Sequence, residues 1–83
     1  MKITAEISMY PLQHEFVVPI KSVINKLNSY KDLQVNTFIT ATTLVGDYDI
    51  VMNAIKETLA WSYEEHGTAV FVTKLIPGYE PGL

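Results

Sequence analysis

An α+β domain, with four strands and two helices in the order β-α-β-β-α-β, is what this sequence predicts. Three observations carry the prediction. Lys2 to Tyr10 alternate, with Ile3, Ala5, Ile7 and Met9 on one face and Thr4, Glu6, Ser8 and Tyr10 on the other, the period of a strand with one face on a core. Two stretches, Pro19 to Tyr30 and Tyr48 to His66, repeat apolar residues at helical spacing. The segments Leu33 to Phe38, Ala41 to Val45 and Thr68 to Ile76 are rich in β-branched and aromatic residues, which suit strands.

Taken in order, the first strand is expected to stop at Pro11, and Leu12 to Val18 form a loop because no period runs through them. Val18 precedes a proline and is thereby biased away from helical geometry, while Pro19 suits a first helical turn. Ile20, Val23, Ile24 and Leu27 then give the first helix its apolar stripe. The link between the second and third strands, Ile39–Thr40, lacks the glycine or asparagine of a tight hairpin. Asp47 is placed to cap the second helix, and Gly46 before it to ease the passage from strand to helix. On that helix Val51, Ala54, Ile55, Leu59 and Tyr63 form the expected buried stripe, closed by His66 and a Gly67 C-cap. Residues 77–83, PGYEPGL, read as a tail or short edge segment. Right-handed crossovers would place both helices on one face of a four-stranded antiparallel sheet, the ferredoxin-like sandwich. The other sheet face is left open for a partner subunit or a ligand.

The 83 residues suffice for one domain and one core. A chain this short gains from self-association. There is no cysteine, which removes disulfides, thiolate metal sites and thiol nucleophiles. All six basic residues are lysine against nine acidic ones, a net charge of −3, which argues against a nucleic-acid partner because phosphate recognition draws on many cationic contacts. No apolar run is long enough for a membrane span or signal peptide, so a cytoplasmic location is expected.

Catalytic and metal chemistry finds little to work with. The two histidines, His14 in a loop and His66 at a helix end, have no nucleophile or acid at a telling spacing. Glu64, Glu65 and His66 are consecutive on a helix and point in different directions, so no metal site is expected. No glycine-rich phosphate loop is present, and no cofactor is implied. Glu6 faces solvent, pairs with a lysine such as Lys74, or awaits a cation. Thr37, Thr40, Thr42 and Thr43 cluster at the hairpin, either as ordinary strand residues or as the wall of a hydrogen-bonding pocket.

Four segments together, ITAEISMYPL, TTLVGDYD, IVMNAIKETL and EEHGTAVFVTKLI, resemble the YkoF-like thiamine- and hydroxymethylpyrimidine-binding proteins and their single-domain relatives. Two features of that family are absent: Ile39–Thr40–Ala41–Thr42 stands where single-domain relatives often have a Pro-Met-Gly-Thr-like turn, and Val45 stands where many have an acid before the glycine. The resemblance implies a ferredoxin-like domain that assembles into a homodimer or homotetramer. It further implies a non-enzymatic role in vitamin salvage or transport, with thiamine or its pyrimidine moiety as the small-molecule ligand. Ser8, Tyr10, Thr42, Thr43 and Asp47 are the residues expected to supply polar contacts, with Glu6 as a counter-charge for a thiazolium. Two rival expectations remain open on the residues alone. One is a cofactor-independent enzyme using Glu6 or His14, and the other is a regulatory module that binds an amino acid at a subunit interface.

Overall fold

The computed structural model describes residues 1–81; Gly82 and Leu83, the end of the expected tail, lie outside the described residues. The chain forms β1 (Lys2–Pro11), α1 (Val17–Asn28), β2 (Gln34–Thr37), β3 (Thr42–Asp47), α2 (Tyr48–His66) and β4 (Ala69–Pro77). All strand pairings are antiparallel, in the order β2-β3-β1-β4, and the arrangement is the expected ferredoxin-like one.

Strand alternation decides what the core contains. Odd residues of β1 face the helices, and Ile3, Ala5 and Ile7 join Leu44 of β3, Val23 and Leu27 of α1, and Val51 and Ala54 of α2 in one buried cluster. Fully burying a side chain the size of isoleucine or leucine stabilises by about 1.5–3 kcal/mol, so this cluster is the main favourable term in the fold. The register puts Thr4, Glu6 and Ser8 on the opposite, open face beside Val45 and Thr43 of β3 and Ile76, Lys74 and Val72 of β4. Glu6 meets Lys74 there, Oε1 to Nζ 3.6 Å, as the cross-strand reading anticipated. One end of this face is covered by the chain's own tail: Thr4 Oγ1 donates to the Tyr79 carbonyl at 2.8 Å, and Gly78 N–H to the Lys2 carbonyl at 2.8 Å.

The helix ends differ from expectation. α1 begins at Val17 rather than Pro19, because the Glu15 carboxylate accepts from the N–H groups of Val17 and Val18, at 2.8 and 3.1 Å, and so supplies partners for donors a helix start leaves free. Pro11 does not break β1 but ends it, opposite Ala69. Asp47 stands at the N-cap position of α2 yet makes no capping bond; its carboxylate pairs with Lys2 at 3.4 Å instead. Glu15→Ala is therefore expected to cost about 1 kcal/mol, the usual worth of a helix cap, and Asp47→Ala less than about 0.5 kcal/mol, as for an exposed ion pair. Urea denaturation of the two variants checks the order, and a reversed order would contradict the cap assignment.

Two further expectations are corrected. Gly46 has no unusual backbone angle; it is there for space, since a Cβ would come within 2.6 Å of the Leu33 side chain. The buried stripe of α2 is Val51, Ala54, Thr58 and Ser62, and Leu59 and Tyr63 are exposed. Two of these four positions, Thr58 and Ser62, are polar, which apolar spacing alone did not reveal.

Candidate functional site

Beyond Ile7 the two central strands separate. β3 begins at Thr42, opposite Ile7, while β1 runs on to Pro11 against β4 alone. At the outer ends of the two ladders the Tyr48 N–H bonds the Met1 carbonyl and the Leu12 N–H bonds the Thr68 carbonyl. In antiparallel pairing these groups alternate, so odd residues of β1 direct their N–H and C=O toward β3 and even residues toward β4. Met9 is next in that alternation after Ile7 and has no β3 residue opposite it. One donor and one acceptor of its backbone thus face a gap in the sheet.

That gap is roofed by the link between β2 and β3. Phe38 N–H donates to the Ala41 carbonyl at 2.8 Å, closing a tight connection with no left-handed residue, which is why glycine and asparagine are not needed there. Ser8 Oγ donates to the Thr40 carbonyl at 2.9 Å and ties the link to β1. Between link, strand and α1 lies a cavity of about 110 Å³. Ile20, Val23, Ile24 and Leu27 of α1 form its apolar wall, and the hydroxyl-bearing residues Ser8, Thr37, Thr40 and Thr42 gather on the other side. It adjoins a shallower groove of about 420 Å³ that includes Tyr10, Gln13, Phe16 and Ile39. Among the described residues no lysine, histidine or carboxylate lines either space.

The residues singled out by sequence divide accordingly. Ser8 and Thr42 border the cavity and Tyr10 the outer groove. Thr42 faces the helices, 5% exposed, its hydroxyl 3.2 Å from that of Thr37. Its neighbour Thr43 points the other way, to the open face, where its hydroxyl lies 3.4 Å from the Asn36 carbonyl. Glu6 is engaged with Lys74 on that same open face. Asp47 pairs with Lys2 at the opposite end of the sheet, roughly 20 Å from Ser8 at about 3.4 Å per strand residue. The structure also adds residues that the sequence did not single out for a site: Met9, Ile20, Ile24 and Ala41. Strand parity was the available signal for Thr42 against Thr43; for Met9 there was none, since it depends on where β3 begins.

The chain matches no family model and no curated protein sequence. Solved structures resemble it more closely. A Thermotoga maritima protein provisionally described as a thiamine biosynthesis/salvage protein superposes with a TM-score of 0.83 at 19% identity, over 90% of this chain and 82% of that one. The likeness is one of fold. A hypothetical protein from Methanocaldococcus jannaschii gives a TM-score of 0.80 at 28% identity, over 98% of this chain and 84% of its own. A domain of unknown function, DUF77, from Bacillus cereus gives 0.69 at 19% identity, over 98% and 78%. This chain therefore shares its architecture with proteins that include a thiamine-related one, and its own chemistry has to be argued from the cleft.

Proposed function

We propose that this protein binds thiamine or a related hydroxymethylpyrimidine without turning it over, as a carrier or sensor in vitamin salvage or transport in the cytoplasm. We read it as a self-associating, single-repeat relative of the YkoF-like proteins. The observation that carries the reading is the pairing of an unpartnered strand edge at Met9 with a cavity whose lining has no charged side chain and includes Ser8, Thr37, Thr40 and Thr42. An aminopyrimidine presents a ring-nitrogen acceptor beside an amino donor, the complement of one residue's backbone N–H and C=O. The apolar wall of α1 supplies ring burial, and the threonine hydroxyls take the remaining polar positions. A phosphate ester would find no cation among the lining residues, so the unphosphorylated form is the better match. At about 110 Å³ the cavity is well below the roughly 300–1,000 Å³ of pockets for drug-sized ligands, which suits one small ring inside and any second ring in the outer groove.

Against a catalytic role stands the open setting of the two candidate groups. Glu6 is paired on the open face, and His14 is exposed in the segment after β1.

The two adjacent threonines provide a test. Thr42→Val is expected to weaken hydroxymethylpyrimidine binding about tenfold, the cost of about one buried hydrogen bond, and Thr43→Val to leave it unchanged. Thermal-shift titrations of both variants measure this; equal effects, or a larger loss at Thr43, would move the site to the open face.

A further inference from the structure

The two free backbone groups of Met9 have an order along the strand. In an extended residue the N–H and C=O point to the same side, with the N–H nearer the chain's N-terminus. In the gap beside Met9 the N–H therefore lies toward Ile7 and the C=O toward Tyr10.

That order fixes how a 4-aminopyrimidine can sit. Ring nitrogen 3 accepts from the N–H, and the amino group donates to the C=O. Ring position 2, beside nitrogen 3, then points back along β1 toward Ile7 and the Thr42 opposite it. Ring position 5, beside the amino group, points toward Tyr10 and the outer groove.

Thr42 makes the inner end polar. It is buried, and its hydroxyl lies 3.2 Å from that of Thr37, where either oxygen can donate. With Thr37 as the donor, Thr42 keeps its own proton for a ligand in the cavity that both residues line.

We propose that the cleft also takes free bases of the 4-amino-2-oxopyrimidine type, of which cytosine is the simplest, with Met9 and Thr42 together reading the hydrogen-bonding edge. The Met9 N–H donates to nitrogen 3, the amino group donates to the Met9 carbonyl, and the Thr42 hydroxyl donates to the 2-oxo group. This rests on the reading of Met9 as the ring's backbone partner and widens the ligand class of that same site. In hydroxymethylpyrimidine the Thr42 hydroxyl has to reach past a 2-methyl group to ring nitrogen 1; a 2-oxo group brings the acceptor to it. Uracil reverses the pattern. It sets a ring N–H against the Met9 N–H and a ring carbonyl against the Met9 carbonyl, so four polar groups lose their partners. The far edge of the ring, with nitrogen 1, faces the link between β2 and β3, where a sugar would collide with the chain. The site therefore prefers the base to its nucleoside.

Calorimetric titration of the parent protein with cytosine, uracil, cytidine and hydroxymethylpyrimidine tests this. Cytosine is expected to bind within about tenfold of hydroxymethylpyrimidine, and uracil more than about a hundredfold more weakly than cytosine. Cytidine should bind more weakly than cytosine by at least about tenfold. Thr42→Val should weaken cytosine binding by at least about tenfold, and Thr42→Ser, which keeps the hydroxyl, should restore most of it. Circular dichroism shows that each variant is folded; if Thr42→Val is not, the ligand series on the parent protein decides alone. Hydroxymethylpyrimidine binding with cytosine more than about tenfold weaker would overturn this inference and leave the reading of the cleft standing. So would uracil or cytidine binding as well as cytosine, or full cytosine affinity in folded Thr42→Val. Cytosine binding without hydroxymethylpyrimidine binding would instead overturn the vitamin assignment and keep this one. Binding of neither would overturn both.

Discussion

Ala41→Phe is expected to lower affinity for hydroxymethylpyrimidine by more than tenfold while leaving the fold and its melting temperature close to those of the parent. Ala41 closes the link between β2 and β3, where its carbonyl accepts from Phe38 N–H, and it lies in the lining of the cavity of about 110 Å³. A phenyl ring in its place would occupy the volume proposed for the ligand ring. The backbone hydrogen bond does not depend on the side chain, and the residue is only half buried, so overpacking of the main core is avoided. A tenfold loss is about 1.4 kcal/mol. Calorimetry and a thermal melt on the same sample separate blocking from unfolding. Undiminished affinity in a folded variant would remove this cavity as the site.

The largest stability effect is expected at Leu44. It is 0% exposed, lies on the helix face of β3 opposite Ala5 of β1 and Val35 of β2, and touches the centre of the core. Leu44→Ala should cost about 2–5 kcal/mol, from lost transfer energy plus the cavity left behind. A domain of this length has roughly 4–12 kcal/mol in all, so the variant should be marginal, and at about 4–8 °C per kcal/mol its melting temperature should fall by at least about 8 °C. Ile39→Ala provides the contrast. That side chain is fully exposed on the link, and its removal should change stability by less than about 0.5 kcal/mol. Comparable losses at both positions would contradict the placement of β3 in the middle of the sheet.

What the sequence made legible was the part governed by local period. Alternation along β1 and helical spacing in Ile20, Val23, Ile24 and Leu27 set the element order and most of the core. The Glu6–Lys74 pair was legible too, because both residues sit at polar positions of strands that the fold brings together. Helix ends were less so, since Glu15 could not be distinguished from any other loop acid until its carboxylate was seen on the N–H groups of Val17 and Val18. Asp47 had the right type for a cap, but Lys2 across the strand pair competes for its carboxylate. For the stripe of α2, apolar spacing placed Val51, Ala54 and the half-buried Ile55 correctly, but the stripe runs on through Thr58 and Ser62 instead of Leu59 and Tyr63.

The candidate site was legible only in outline. The threonine cluster drew attention to the hairpin beside this cavity, and Thr37, Thr40 and Thr42 do border it. Thr43 is separated from Thr42 by the pleat of a single strand, and Asp47 by the length of β3. The opening at Met9 exists because β3 is shorter than β1, a difference in strand length that no residue type announces.

Calorimetric titration of the purified protein with hydroxymethylpyrimidine and, separately, with thiamine tests the central claim most directly. Saturable micromolar or tighter binding of the pyrimidine, with no product formed on prolonged incubation, is the expected result. Absence of binding heat from either compound, on protein that is folded by circular dichroism, would contradict it.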